Sequence, residues 1–284
     1  MAALRWLIEA GADEAIAEEP IDRYAETASQ TSSPTPSSGQ SALPAARVET
    51  PKRSWGPEPL ASPPIWAPET KPPTAPQELL EDARRLAAAA QSLQELHEAI
   101  AAFEGCSLKK SATNTVIFRG DPRSKIMLIG EAPGREEDLQ GKPFVGAAGQ
   151  LLDRMLTWAG LEPSKLFITN LLFWRPPGNR TPEQREIALC LPFVERQIAL
   201  IQPEYLLLLG NVSTKTLLER QEGITRLRGR WFPYHHPEAK DPLPAMVMLH
   251  PAFLLRQPAQ KRLAWRDLLA FQDAVSRGQL PLSE

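Results

Sequence analysis

The sequence predicts an α/β protein: a three-layer α/β/α sandwich around a four-stranded parallel sheet, preceded by an N-terminal helix and a disordered proline-rich linker. Three observations carry this expectation. Four short, continuous apolar runs recur at wide intervals: Ile126–Ile129, Leu166–Ile168, Tyr205–Leu209 and Met246–Leu249. Helix-like segments separate them. Of the 29 prolines, 12 fall between Pro34 and Pro76, away from all four runs. Apolar strands alternating with helices are the signature of a parallel sheet covered on both faces. Proline- and serine-rich sequence cannot bury enough apolar surface to offset its ordering entropy.

The N-terminal elements come first. Residues 3–17 place Leu4, Leu7, Ile8, Ala12, Ala15 and Ile16 at helical spacing, and Pro20 ends the run. Residues 1–26 are therefore expected to form an acidic amphipathic helix, and 27–76 a disordered or polyproline-like linker in which Trp55 and Trp66 stand out. The folded domain is expected over 77–284. It opens on one predicted helix from Glu78 to Phe103. The apolar runs come next, separated by helices predicted at Gln150–Ala159, Thr181–Ile201, Val212–Arg220 and Lys261–Ala274, with Thr181 offering the N-cap of the second.

Charge and cysteine usage narrow the setting. The formal net charge of −2 hides an asymmetry: seven acids lie in residues 1–30, while ten Lys/Arg face four acids between Lys215 and Arg266. A basic C-terminal half suits a polyanion. Cys106 and Cys190 match no ligand or redox spacing by themselves, and two reduced thiols in a cytosolic protein are expected. No apolar run approaches the roughly eighteen residues of a membrane span, and the N-terminus is acidic where a secretory signal is basic. A cytoplasmic, monomeric protein that does not enter membranes is the expectation.

In open α/β layers the ligand sits beyond the C-terminal ends of the strands, which directs attention to the residues just past each run. After the first comes Gly130-Glu131-Ala132-Pro133-Gly134, then Glu136-Glu137-Asp138 and Gly141-Lys142-Pro143-Phe144-Val145-Gly146. Glycines at such a turn bring backbone amides near a ligand. This is neither a P-loop nor a dinucleotide fingerprint, and its four acids disfavour a nucleoside triphosphate. Carboxylates here can position water, stabilise a developing cation or bind metal, and Phe144 can stack on a planar ring. Asn170 closes the second run with a carboxamide whose donors and acceptor match a nucleobase edge. The loop Arg175–Thr181 adds Arg175 and Arg180, plausible phosphate contacts. After the fourth run, His250 stands at the ligand edge before Pro251, with Leu254, Leu255 and Arg256 shortly beyond; apolar side chains pushed outward there can wedge between DNA bases.

These motifs, in this order and spacing, resemble those of the uracil-DNA glycosylase superfamily, and most closely its family four, the bacterial and archaeal iron–sulfur type. The resemblance spans roughly Cys106 to Ala274. It implies a base-excision-repair hydrolase that flips uracil from single- or double-stranded DNA and cleaves its N-glycosidic bond, leaving free uracil and an abasic site. It implies that Phe144 stacks on the uracil and Asn170 reads its O4/N3 edge. Gly130, Ala132 and Asp138 contribute to the same pocket. Glu131 and Glu137 position water or stabilise the sugar cation, and His250 donates to uracil O2. Arg175, Arg180, Leu254, Leu255 and Arg256 meet the DNA. The superfamily's best-known branch carries Asp where this chain has Ala132, so water handling is left between Glu131 and Glu137.

The resemblance also implies four cysteine ligands to a four-iron cluster. Only Cys106 and Cys190 are kept; Lys109 and Trp174 occupy the other two positions. No cluster and no other cofactor is therefore expected, with Trp174 filling space by packing. The cross-linking branch carries a longer basic insertion with a reactive histidine, which Arg175–Thr181 lacks, so a free abasic product is expected. The alternative is a DNA-binding protein of the same fold whose catalysis has lapsed. The acidic N-terminal helix is a candidate protein-binding module.

Overall fold

A computed structural model describes residues 76–278. The predicted N-terminal helix and linker lie outside the described residues.

The four predicted apolar runs form parallel strands, because each is buried along most of its length and only a two-sided cover satisfies that pattern. They are β2 (Ile126–Gly130), β3 (Phe167–Asn170), β4 (Tyr205–Leu209) and β6 (Leu243–Met248), hydrogen-bonded in the order β3-β2-β4-β6. The sheet has six strands among the described residues, two more than expected. The short β1 (Phe118–Gly120) pairs antiparallel with β3, and β5 (Trp231–Tyr234) pairs antiparallel with β6. Both are edge strands. Pro233 lies in β5, and a proline is tolerated in a strand only at such an edge, where its missing N–H breaks no ladder.

Helices cover both faces. On one, α1 (Pro76–Ala89) and α2 (Leu93–Ala102) pack against the long α5 (Gln184–Ile201). A buried cluster there joins Leu96, Ile100, Phe173, Trp174, Phe193 and Ile198 to Met127, Ile129, Leu206 and Leu208 of the sheet. On the other, α4 (Ala147–Trp158) and α9 (Lys261–Arg277) pack together, with α9 also against β6. The remaining helices are short: α3 (Arg135–Gln140), α6 (Asn211–Leu218), α7 (Ile224–Leu227) and α8 (Pro251–Arg256).

Two helix boundaries depart from expectation. The single helix expected over Glu78–Phe103 is broken between Ala89 and Leu93. Ser92 caps α2 by accepting the Glu95 amide at 3.2 Å, and Arg196 donates twice to the freed Ala90 carbonyl, at 2.9 and 2.8 Å. The Ser92-x-x-Glu95 signature of a helix start was present in the sequence, inside an otherwise continuous periodicity. At the start of α5 the cap is Glu183, not Thr181. Glu186 reaches back to the Glu183 amide at 2.8 Å, and the same carboxylate takes Arg180 in a two-pronged ion pair.

Candidate active site at the carboxyl edge of the sheet

The register of the parallel strands fixes which residues meet at their C-terminal ends. Gly130 and Asn170 are direct neighbours across β2 and β3, and Leu209 pairs with Met248 just before His250. Beyond these ends lies a cavity of about 420 Å³ lined by Glu131, Ala132, Pro133, Gly134, Glu137, Phe144, Asn170 and His250, with Asn179, Arg180, Phe253 and Arg256 around it.

The Phe144 ring rests directly over Gly130. A Cβ at position 130 would stand 2.4 Å from Phe144 Cζ and 2.4 Å from Asn170 Oδ1, so glycine is what allows both side chains to converge. Phe144 is nearly buried, adopts φ 55°, and sits with its ring centroid 5.7 Å from that of His250. Its loop is closed from behind by Gly149, where a side chain would collide with the Phe144 carbonyl at 1.8 Å.

What holds that loop is Glu137. One carboxylate oxygen accepts the Val145 and Gly146 amides at 2.9 and 2.8 Å, and the other accepts the Gly134 amide at 3.1 Å. The acidic residue at the start of α3 thus ties the Gly130–Gly134 turn to the Phe144 loop. Asp138, expected in the pocket, does not line it. It is buried and accepts the Thr113 and Asn114 amides at 2.8 and 3.1 Å, fixing the segment before β1.

Asn170 is 2 % exposed, and its Oδ1 has no hydrogen-bond partner. A buried acceptor without a donor costs on the order of 1–3 kcal/mol, so its position on the cavity wall is itself a signal of something to be received. His250 is the N-cap of α8, and its Nδ1 accepts the Ala252 amide at 3.1 Å. That bond assigns the lone pair to Nδ1 and leaves Nε2 as the protonated nitrogen. The ring keeps some surface on the cavity while protein encloses the rest, and this enclosure, with Arg256 nearby, lowers its pKa to about 4. The donor facing the cavity is neutral. Glu131 lines the same cavity; burial raises its pKa, partly offset by the Arg256 guanidinium.

The expected DNA contacts separate on inspection. Leu254 is fully buried and packs in the core, so it cannot act as a wedge, whereas the neighbouring Leu255 is 41 % exposed beside Arg256. Consecutive residues of a short helix point to different sides, which the sequence alone did not divide. Arg175 is held by Asn179 at 2.7 Å, and Arg180 is committed to Glu186. Asn179, in the left-handed region at φ 56°, and Phe253 line the cavity and were not singled out from the sequence. Asn179's place in a Pro-Pro-Gly-Asn turn was the available signal.

A family model, the uracil DNA glycosylase superfamily, matches residues 117–269. The chain belongs to the uracil DNA glycosylase superfamily. It is 39 % identical over 183 residues to a Type-4 uracil-DNA glycosylase of Pyrobaculum aerophilum, covering 63 % of this chain and 92 % of that one. It is 35 % identical over 166 residues to the Type-4 uracil-DNA glycosylase of Thermotoga maritima, covering 57 % and 84 %. A Type-5 uracil-DNA glycosylase of Thermus thermophilus is 31 % identical over 140 residues, covering 44 % and 61 %.

Two of the four cluster positions implied by the family-four resemblance carry Lys109 and Trp174. Lys109 Nζ donates to the Ala101 carbonyl at 2.6 Å and pairs with Glu104. The Trp174 indole is buried and donates to Thr115 Oγ1 at 3.1 Å. Cys106 and Cys190 are fully buried in the same apolar cluster. A cation, an indole and two thiols are not the donor set of a four-iron cluster.

Proposed function

We propose that this protein is a monofunctional DNA repair glycosylase that hydrolyses the N-glycosidic bond of uracil in DNA. The observation that carries the proposal is the unpartnered Oδ1 of Asn170 on a cavity shared with Phe144 and the neutral His250 donor. Uracil presents an N3–H donor beside an O4 acceptor. Asn170 Oδ1 would accept the first and its amide N–H would donate to the second. Cytosine reverses that order, so it would leave two buried polar groups facing their own kind.

Such a pocket requires the base to leave the helical stack. Leu255 and Arg256, beside the cavity mouth, are the residues suited to fill the gap; Phe144 offers the stacking surface. As the bond to the sugar breaks, negative charge grows on uracil O2, where His250 Nε2–H donates. A preorganised neutral donor needs no prior protonation to act and is worth on the order of 10²–10³ in rate. Positive charge grows on the sugar. Glu131 is the carboxylate left to meet it and to orient water, because all three amide bonds to Glu137 are structural. We assign Glu137 to positioning.

The test is direct. Oligonucleotides carrying one uracil, single- and double-stranded, are incubated with the protein and then treated with alkali. Strand cleavage at the uracil position, with release of free uracil, is expected from both. Binding without cleavage would overturn the proposal in favour of a lapsed DNA-binding protein.

A further inference from the structure

Outside the cavity, the strongest unexplained feature among the described residues is a cluster of arginines on the surface near its mouth. The chain as a whole is slightly acidic, with a formal charge of −2. Arg226 lies in α7 and Arg230 just before β5, while Arg262 and Arg266 lie one turn apart at the start of α9. The fold straps these two segments together: Arg228 donates to the Leu263 carbonyl and to Asp267 Oδ2, both at 2.8 Å. The four arginines flanking that strap are exposed, and none has an ion-pair partner among the described residues. Two acids of the region are already engaged. Glu222 pairs with Arg220 at 3.6 Å, and the buried Asp267 is taken by Arg228.

Nothing in folding calls for this concentration of charge. Arg220 and Arg230 both lie over the Phe232 ring, each 5.3 Å from its centroid. Cations gathered about one ring repel each other, and an anion beside them relieves that repulsion. Stacking still leaves the N–H edge of a guanidinium free for a phosphate. Arg262 stands in the first turn of α9, an end where the helix dipole disfavours a cation. The cluster also borders the site. The Gly229 amide donates to the Val247 carbonyl at 2.7 Å and the Val247 amide to the Arg230 carbonyl at 3.2 Å, three residues before His250. From the other side, Arg256 of α8 lines the cavity, and the single turn Pro258–Gln260 joins α8 to α9.

We propose that Arg226, Arg230, Arg262 and Arg266 form a phosphate-binding ridge that grips the DNA backbone beside the flipped nucleotide. The inference rests on the reading of this protein as an enzyme acting on DNA, and it adds a surface to the residues at the cavity mouth. Contacts to phosphate carry no sequence information, so the ridge holds undamaged and uracil-containing duplexes alike. It supplies the sequence-independent part of the affinity, the part that weakens as salt rises and condensed counterions are no longer gained by release. Recognition of the base stays with the cavity.

The experiment measures binding of the full chain to an undamaged duplex, and to the same duplex carrying one uracil, by fluorescence anisotropy over a series of salt concentrations. Arg226→Ala with Arg230→Ala, and Arg262→Ala with Arg266→Ala, are the two ridge variants. Arg123→Ala with Lys125→Ala removes the same charge at the opposite, amino-terminal end of β2. Each ridge variant should weaken both duplexes about tenfold at low salt and make the slope of log affinity against log salt shallower by about 1–2. The control pair should keep the wild-type slope. Arg226→Lys with Arg230→Lys retains the charges and should keep it too; a slope lost there would mean that packing on Phe232, not charge, was at work, and would overturn the proposal. So would an unchanged slope in both alanine variants, a control that shifts as much as they do, or a wild-type protein that does not bind undamaged duplex. Undamaged DNA holds no uracil, so the outcome separates from excision. Absent cleavage with an arginine-dependent slope would sink the glycosylase reading alone, and cleavage with an arginine-independent slope would sink the ridge alone.

Discussion

His250 shows how a single backbone hydrogen bond can decide a side chain's chemistry. Because the Ala252 amide occupies Nδ1, the cavity meets Nε2–H, and because the ring is enclosed, it stays neutral down to about pH 4. Single-turnover excision should therefore show no inflection from this residue near its ordinary value of 6.5 across about pH 5 to 8. The same shift has a stability consequence. Between 6.5 and about 4 the unfolded chain takes up a proton that the folded state refuses, so stability falls as pH drops through that window and levels off below it. His250→Gln should flatten that slope in urea melts, and His250→Ala should bind uracil-DNA while losing roughly 10²–10³ in turnover. Gly130 permits a second test at this scale. Its backbone accepts any residue, yet Gly130→Ala would thrust a methyl group between Phe144 and Asn170. We expect excision to be abolished with the circular dichroism spectrum unchanged; normal turnover would mean that the two side chains do not need this floor.

At the scale of elements, α3 matters less for its charge than for the loop it holds. The acids of the Glu131–Asp138 stretch look alike in sequence, and only their partners separate them: Glu131 faces the cavity, Glu137 binds three amides, and Asp138 binds two in the segment before β1. Glu137→Gln replaces one acceptor oxygen by a donor among N–H groups. It should cost about 1–3 kcal/mol in chemical denaturation and reduce excision by loosening Phe144. Unaltered stability with lost activity would instead favour a direct chemical role for Glu137. The strands were legible because continuous apolar runs have few alternative readings. The α1–α2 break was only half legible: the Ser92-x-x-Glu95 start signature is there, but the partner that satisfies the Ala90 carbonyl is Arg196, a residue remote in sequence.

Across the whole molecule, one apolar core runs from the α1–α2 pair through Cys106, Trp174 and Cys190 to the sheet. Trp174 stands in it as a packing residue, 1 % exposed. Trp174→Ala should lower stability by about 3–5 kcal/mol, as large-to-small core changes do. Chelators should leave the melting temperature of the wild type unmoved, and iron assays should find far less than the full complement of a four-iron cluster. A chelator-sensitive melt would show that a metal contributes to the fold despite the missing ligands.

By itself, the sequence determined the parallel core of the sheet and singled out Phe144, Asn170 and His250, which the structure gathers on one cavity beyond the strand ends; each depends on local pattern, namely apolar runs, turn glycines and residues that follow a strand. The tertiary structure alone decided which of equivalent neighbours do what. It sent Leu254 inward and Leu255 outward, turned Glu137 and Asp138 into anchors, added two antiparallel edge strands, and buried Cys106 and Cys190 in one core cluster. Those outcomes rest on contacts between segments far apart in the chain, and a side chain's partner across such a distance leaves no mark in the residues beside it.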